Sequence, residues 1–411
     1  MPSATQTLTA TLDALSLRGS NGTSPFKGDL KVQPLEFSGA LNAKDYPREE
    51  LTPALGDRFD AGVKLKEILA LPKEQGDALL RDLAILSEWD ALTEDAMHKL
   101  TSGLGSFAVS HRGVVFFQDQ RELVPEDLGN LALRLGELAG KPSDSSLHIH
   151  PTQELSENGL PLGKISSTPD KEGRQISFPE KGLTSAGWHT DVSFEPRPSL
   201  FTILQMHTIP RVGGDTLWSS NYAAYDRLTP AYQKFLEGLT AVHDAERFRT
   251  QSRLNGFKLR TEPRGSPLNQ GDAFQATHPI IRCVSLSAFL FSNSNGKRTN
   301  RTNPVTGQRA LFVNPTFTTR INELNHDESR SVLDYLFRVQ AENHENHVKY
   351  RWGKYDVAIW SNPVVNHLAT FDYTEYRAGD RAVVVGETPY FDPASTGRRE
   401  WLIRSGQEVA A

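Results

Sequence analysis

His189 and Asp191 stand two residues apart, and a lone His367 follows far downstream. No other feature constrains this chain as much. On an extended strand, side chains i and i+2 point the same way, so His189 and Asp191 can grip one ion while Thr190 faces away. Two imidazoles and a carboxylate on one triangular face of an octahedron form the ligand set of a mononuclear non-haem iron(II) site. The opposite face stays open for a co-substrate and dioxygen. A His-x-Asp pair by itself also fits an ordinary surface strand, and a single histidine fits a core position. The surrounding text narrows the choice. Gly213-Gly214-Asp215-Thr216 follows on a turn, and Arg377 and Arg381 come soon after His367.

Composition removes several alternatives. The chain has 411 residues and a formal net charge of −5. It shows no basic stripe of the kind that binds nucleic acid. No apolar run approaches the ~20 residues of a membrane span. Residues 1–20 lack the apolar centre of a signal peptide. The last residues, Glu408-Val409-Ala410-Ala411, match no peroxisomal or retention signal, so a cytoplasmic location is expected. The single cysteine, Cys283, excludes an internal disulfide and a thiolate metal cluster. A metal would have to be held by histidine and carboxylate.

Residues 1–85 have a weak hydrophobic pattern and many Pro, Gly and Ser residues, and read as an extension that wraps the core. Residues 86–400 read as one domain. Its pattern predicts a helix over 93–104, a buried strand at Gly113–Phe117 and a helix from Pro125 to about Gly140. Residues 151–186 read as a loop, followed by the His-x-Asp strand. Strands are expected at 200–206, 310–313, 357–360 and 382–385. Helices are expected at 223–239, interrupted by Pro230, and at 326–347. Many short strands with few helices between them predict a mainly β fold with flanking helices, built on a double-stranded β-helix, or jelly roll. Residues 283–301 read as an insertion: a surface insertion by preference, a lid or an oligomer contact as alternatives.

Four ordered blocks carry a resemblance to a known family. They are Trp188–Phe194, Gly213–Trp218, Asn314–Ile321, and the run from Asn366-His367 through Asp372-Tyr373 to Arg377 and Arg381. The chain resembles the TauD/TfdA-like Fe(II)/2-oxoglutarate dioxygenases over roughly residues 95–393, and is most similar to fungal taurine/sulfonate dioxygenases. The resemblance implies that His189, Asp191 and His367 are catalytic iron ligands. It implies that Arg377 and Thr216 hold the distal carboxylate of the co-substrate 2-oxoglutarate, and that Arg381 binds the anionic head of the primary substrate. A guanidinium fork suits a carboxylate in a way lysine cannot reproduce. His150, in Leu147-His148-Ile149-His150-Pro151, is the choice over His148 for a substrate-contacting donor. Trp188 and Phe317 could wall the pocket or be ordinary core. His344 and His347, one turn apart, fit a helix end better than a structural zinc.

The implied activity is dioxygenation. A C–H bond is oxidised while 2-oxoglutarate and O2 yield succinate and CO2. On a carbon bearing a sulfonate, as in taurine, the product would collapse to an aldehyde and sulfite. Two alternatives stay open at this level. One is the same chemistry on a carboxylate such as an amino acid or aryloxyalkanoate, giving hydroxylation, desaturation or cyclisation in secondary metabolism. The other is a non-catalytic jelly-roll binding protein. A homo-oligomer, dimer or tetramer, is expected by analogy alone.

Overall fold

The computed structural model describes residues 38–86, 112–152, 161–167, 183–283, 308–393 and 395–404. In chain order the strands are β1 (Arg48–Glu50), β2 (Asp57–Phe59), β3 (Val114–Phe117), β4 (Gly163–Ser166), β5 (Ser199–Thr208), β6 (Thr216–Ser220), β7 (Thr240–Asp244) and β8 (Gln275–Pro279). They continue as β9 (Ile281–Cys283), β10 (Arg309–Leu311), β11 (Thr318–Ile321), β12 (His347–Tyr350), β13 (Asp356–Ser361), β14 (Val365–Ala369) and β15 (Ala378–Val385). The helices are α1 (Leu65–Ala70), α2 (Lys73–Leu86), α3 (Pro125–Leu138), α4 (Asn221–Asp226), α5 (Pro230–Leu236), α6 (Glu246–Asn255), α7 (His326–Ala341) and α8 (Arg398–Arg404). None of the described helices is long and apolar enough to cross a membrane.

A seven-stranded sheet in the order β1-β2-β3-β13-β5-β15-β4 forms the base. Only the β2–β3 pair is parallel within it. Its central strands are buried on both faces, which explains their nearly continuous apolar text. The two faces separate by parity. Val115, Phe117, Phe201, Ile203, Val357, Ile359 and Val384 join a cluster with α1–α3. Val114, Phe116, Leu204, Met206, Ala358 and Trp360 join a second cluster with Trp218, Tyr350 and Trp352. Those partners belong to or adjoin a three-stranded sheet, β12-β6-β14. Phe116 stacks on Tyr350 at 4.0 Å and meets Trp218 edge-on at 5.1 Å, closing the layer between the sheets. A third sheet, β11-β7-β8, is backed by a cluster that includes Leu333, Leu336 and Val339 of α7.

Several expectations are redrawn. His189 and Asp191 do not lie on a regular strand. His189 forms a single bridge to His367, and a turn begins at Asp191. Two reciprocal backbone bonds, His189 N to His367 O at 3.0 Å and His367 N to His189 O at 2.8 Å, supply the extended geometry locally. Val192, at φ +50, then bends the chain away. Residues 48–86, expected to be partly irregular, form β1, β2, α1 and α2, and β2 adds to the main sheet. Three-residue strands carry too little periodicity to be read from text. The 151–186 loop contains β4, which pairs with the start of β15. The helix expected at 223–239 is two helices, with Thr229 capping the second at Tyr232 N. The 326–347 helix stops at Ala341, and β12 begins at His347. The 93–104 helix and nearly all of the 283–301 segment lie outside the described residues.

Phe59 tests whether the N-terminal strand is integral. It is fully buried and stacks on Phe117 at 4.4 Å with ring planes 3° apart. Phe59→Ala should cost ~3–5 kcal/mol in urea unfolding. A loss under ~1 kcal/mol would make β1 and β2 peripheral.

Candidate active site

His189, Asp191 and His367 converge where the seven-stranded sheet faces β6 and β14. Their candidate ligand atoms all lie within 4.8 Å of one another, and this is the only such His/Cys/Asp/Glu group among the described residues. Asp191 Oδ1 is 3.8 Å from Nε2 of each histidine. His189 Nδ1 lies 2.8 Å from the Gly187 carbonyl, which can only accept. Nδ1 therefore carries the proton, and the Nε2 lone pair is left for a cation. Burial, reinforced by His367, pushes the His189 imidazolium down to about 3, and burial lowers His367 as well. Both rings are neutral near pH 7, as metal ligation requires. Burial by itself would raise Asp191. Arg381, His367, His189 and the Thr202 hydroxyl outweigh it and hold the group below the usual carboxylate range. Two lone pairs and an ionised carboxylate, buried together, fit a divalent ion such as iron(II).

The carboxylate is held from several sides. Thr202 Oγ donates to Asp191 Oδ2 at 2.7 Å and accepts from Asn362 Nδ2 at 2.9 Å. Asn362 Oδ1 accepts the Asp191 backbone N–H at 3.1 Å, and Ser199 Oγ donates to the Asp191 carbonyl at 2.7 Å. Thr190 turns the other way and donates to Asn366 Oδ1 at 2.8 Å on β14. From outside, Thr316 Oγ donates to the Trp188 carbonyl at 3.0 Å, and Asn314 Nδ2 donates to Ser193 Oγ at 3.1 Å. The Asn314–Phe317 block is thus a clamp on the segment that carries the ligands.

Thr216 and Arg377 form a second centre. Register places Thr216 opposite Ala369, two residues along β14 from His367. Arg377 is buried just before β15. Its Nε donates to the Gly214 carbonyl at 3.0 Å, and its Nη2 lies 3.5 Å from Thr216 Oγ. Trp352 Nε1 also donates to Thr216 Oγ, at 3.0 Å, leaving the hydroxyl proton for another acceptor. Gly213 and Gly214 have φ +78 and +73. A Cβ on Gly213 would stand 2.5 Å from the Asp372 carbonyl oxygen, and one on Gly214 would press on Arg377 at 3.1 Å. The glycine pair lets the loop after β14 close, with Gly214 N donating to Asp372 Oδ1 at 2.9 Å.

Arg381 lies on the inner face of β15, and its Nη1 donates to Asp191 Oδ1 at 3.1 Å. It contacts this ligand carboxylate, not the Asp380 or Glu387 partners that a surface role would give it. His150 is an electrostatic neighbour of both Arg381 and Asp191. Its Nδ1 accepts the Thr152 backbone N–H at 3.3 Å, so Nε2 carries the proton and is a donor. His148 is occupied elsewhere. Its Nε2 is 3.3 Å from Glu195, which forms a buried bidentate pair with Arg264. Phe317 meets the His189 ring edge-on at 6.1 Å. Trp188 is buried and packs against His347 at 5.0 Å. His347 Nε2 donates to the Gln340 carbonyl at 2.6 Å, and neither His344 nor His347 joins a group of three possible metal ligands among the described residues. Thr202, Asn362 and Trp352 were not foreseen. A Thr inside an apolar strand, an Asn in the turn after one, or a Trp just beyond one carries no distinctive text.

Thr202→Val should weaken divalent-metal affinity ~10–100-fold while the fold survives, because it removes a carboxylate-orienting bond. Competition against a coloured chelator measures this directly. Unchanged affinity would exclude Thr202 from supporting the ligand.

Comparison with known proteins agrees with this geometry. Residues 85–386 match the family described as taurine catabolism dioxygenase TauD, TfdA family. The chain is 36% identical over 410 residues to the alpha-ketoglutarate-dependent dioxygenase esdpJ of Penicillium shearii, covering 90% of this chain and 97% of that protein. It is 30% identical to the alpha-ketoglutarate-dependent sulfonate dioxygenase of Saccharomyces cerevisiae, covering 69% of this chain and 60% of that one. A crystal structure of a taurine dioxygenase from Burkholderia xenovorans superposes with a TM-score of 0.50 at 24% identity, covering 86% and 92% of the two chains, and supports the fold. With its His-Asp-His trio fit for iron, this chain belongs to the TauD/TfdA family of alpha-ketoglutarate-dependent dioxygenases.

Proposed function

We propose that this dioxygenase oxidises a C–H bond of a small organic anion, most suitably an alkyl sulfonate such as taurine, with release of sulfite. The observation that carries the reading is the pair of guanidinium groups beside the metal trio. Arg377 is tied to Gly214 and Thr216, and Arg381 to Asp191. Two cations at separate places, Arg377 buried and Arg381 partly so, suit two anions. One is the distal carboxylate of 2-oxoglutarate, and the other is the head of the substrate. Two other sequence readings are part of the proposal: a jelly-roll catalytic domain over 86–400 with an insertion near 283–301, and an extension over 1–85. The protein would act in the cytoplasm.

His189, Asp191 and His367 would hold the iron. When bound, it couples decarboxylation of 2-oxoglutarate by O2 to oxygenation of the substrate, the hard chemistry of the reaction. The chain supplies placement. Arg377 fixes one end of 2-oxoglutarate through a guanidinium fork, and the Thr216 hydroxyl, already accepting from Trp352, donates to the same carboxylate. Arg381 and the Nε2–H of His150 receive the substrate anion. Phe317 and Phe248 keep water from the reacting carbon.

A carboxylate in place of the sulfonate is the second reading. A guanidinium fork accepts a carboxylate as it does a sulfonate, so Arg381 supports this reading as well.

Anaerobic Fe(II) protein titrated with 2-oxoglutarate should develop the weak visible band of a metal–keto-acid chelate. Adding a sulfonate should shift the band, and admitting O2 should give succinate and sulfite in equal amounts. A response to carboxylates alone would transfer the enzyme to the second reading. Arg377→Ala should raise the 2-oxoglutarate KM about 100-fold or more, and Arg377→Lys should not restore it. Restoration by lysine would reduce Arg377 to a point charge.

A further inference from the structure

Among the described residues, both side chains that hydrogen-bond the Thr216 hydroxyl are donors. Trp352 Nε1 lies 3.0 Å from Oγ, and Arg377 Nη2 lies 3.5 Å from it. Neither an indole N–H nor a guanidinium can accept. The bond from Trp352 therefore occupies a lone pair of Oγ and turns the hydroxyl proton away from the indole. Trp352 is itself buried, in the connection between β12 and β13. Register sets Tyr350, two residues earlier, opposite Thr216. The Trp352 ring meets Tyr350 edge-on at 5.5 Å and lies 6.3 Å from Trp218. A buried carboxylate closes the connection behind it. Asp356 Oδ2 accepts from Tyr350 Oη at 2.7 Å and from Gly353 N at 2.8 Å, and Oδ1 accepts from Asp119 N at 2.9 Å. A Cβ on Gly353 would stand 2.7 Å from Asp356 Oδ2, so a larger residue there would displace the carboxylate. The indole is thus fixed by the rings around it and by the turn that follows it.

We propose that Trp352 is a positioning residue for the co-substrate: its indole N–H fixes the Thr216 hydroxyl as a donor toward the distal carboxylate of 2-oxoglutarate. The proposal rests on the reading of Thr216 and Arg377 as the anchor of that carboxylate. An ionised carboxylate only accepts, so every group that meets it must donate. A threonine hydroxyl left to itself donates or accepts according to its rotor, and orienting it at the moment of binding costs affinity. Trp352 removes that choice before 2-oxoglutarate arrives. Phenylalanine could fill much of the same space, but it has no N–H to do this.

The test measures dissociation constants of 2-oxoglutarate on the anaerobic Fe(II) protein from the chelate band. Trp352→Phe should weaken binding about five- to tenfold, and Thr216→Val about tenfold. The double variant should match Thr216→Val to within about twofold, because the indole then has no hydroxyl to orient. Divalent-metal affinity of Trp352→Phe, read by chelator competition, should stay within about twofold of wild type. A packing role would instead multiply the two factors in the double variant and weaken the metal as well. Either of those results, or wild-type affinity for 2-oxoglutarate in Trp352→Phe, overturns the proposal and leaves Thr216 as an anchor. Wild-type affinity in Thr216→Val overturns the anchor reading and the proposal with it. A second measurement does not depend on the folding of Trp352→Phe. It follows the indole N–H resonances of zinc(II)-loaded protein by NMR. The resonance displaced by Thr216→Val should also shift when 2-oxoglutarate is added to wild type, and one that stays in place overturns the proposal.

Discussion

Two peptide hydrogen bonds between His189 and His367 are the constraint on which the site depends. They join the segment that carries two ligands to the strand that carries the third, and they fix the distance between the histidine Cα atoms before any cation is present. Side-chain order follows from that bridge. With His189 and His367 set face to face, Asp191 falls between β5 and β14, where Thr202 and Asn362 meet it. The carboxylate stays ionised against the penalty of burial because Arg381 and those donors are already in place. The arrangement is preorganised: little has to move to receive an ion.

The Thr216–Arg377 centre depends on a different local device. A left-handed glycine pair admits the Asp372 loop, which seats Arg377 against Gly214 and Thr216. Neither glycine touches a ligand, yet a methyl group on either would displace a charged residue. Thr216 on β6 and His367 on β14 lie on paired strands, so the spacing between these two residues is set by sheet register.

Much of this was legible in the text. His-x-Asp, the distal histidine, the glycine pair and the two arginines could be read because their chemistry demands fixed residue types. The apolar runs 114–117 and 357–360 gave their strands because both faces are buried. What escaped the reading depends on distance. The three-residue strands β1 and β2 have no periodicity of their own and exist because β3 lies beside β2. His189–Asp191 looks like a strand because extended residues alternate, but a single bridge satisfies that geometry. His148 and His150 differ in their partners, Glu195 and Thr152, and only the packing brings Glu195 beside His148.

The strand order of the main sheet has a consequence for how the protein comes into being. Strand β13 lies between β3 and β5, so the sheet cannot be completed until the last third of the chain has been made. Thr190 and Asn362, which hold the site from two sides, are 172 residues apart. Closing loops of that length before their contacts repay the entropy slows folding. On the ribosome, the nascent chain carries its first two metal-binding side chains long before the third. Completion of the His-Asp-His trio is therefore a late event in synthesis.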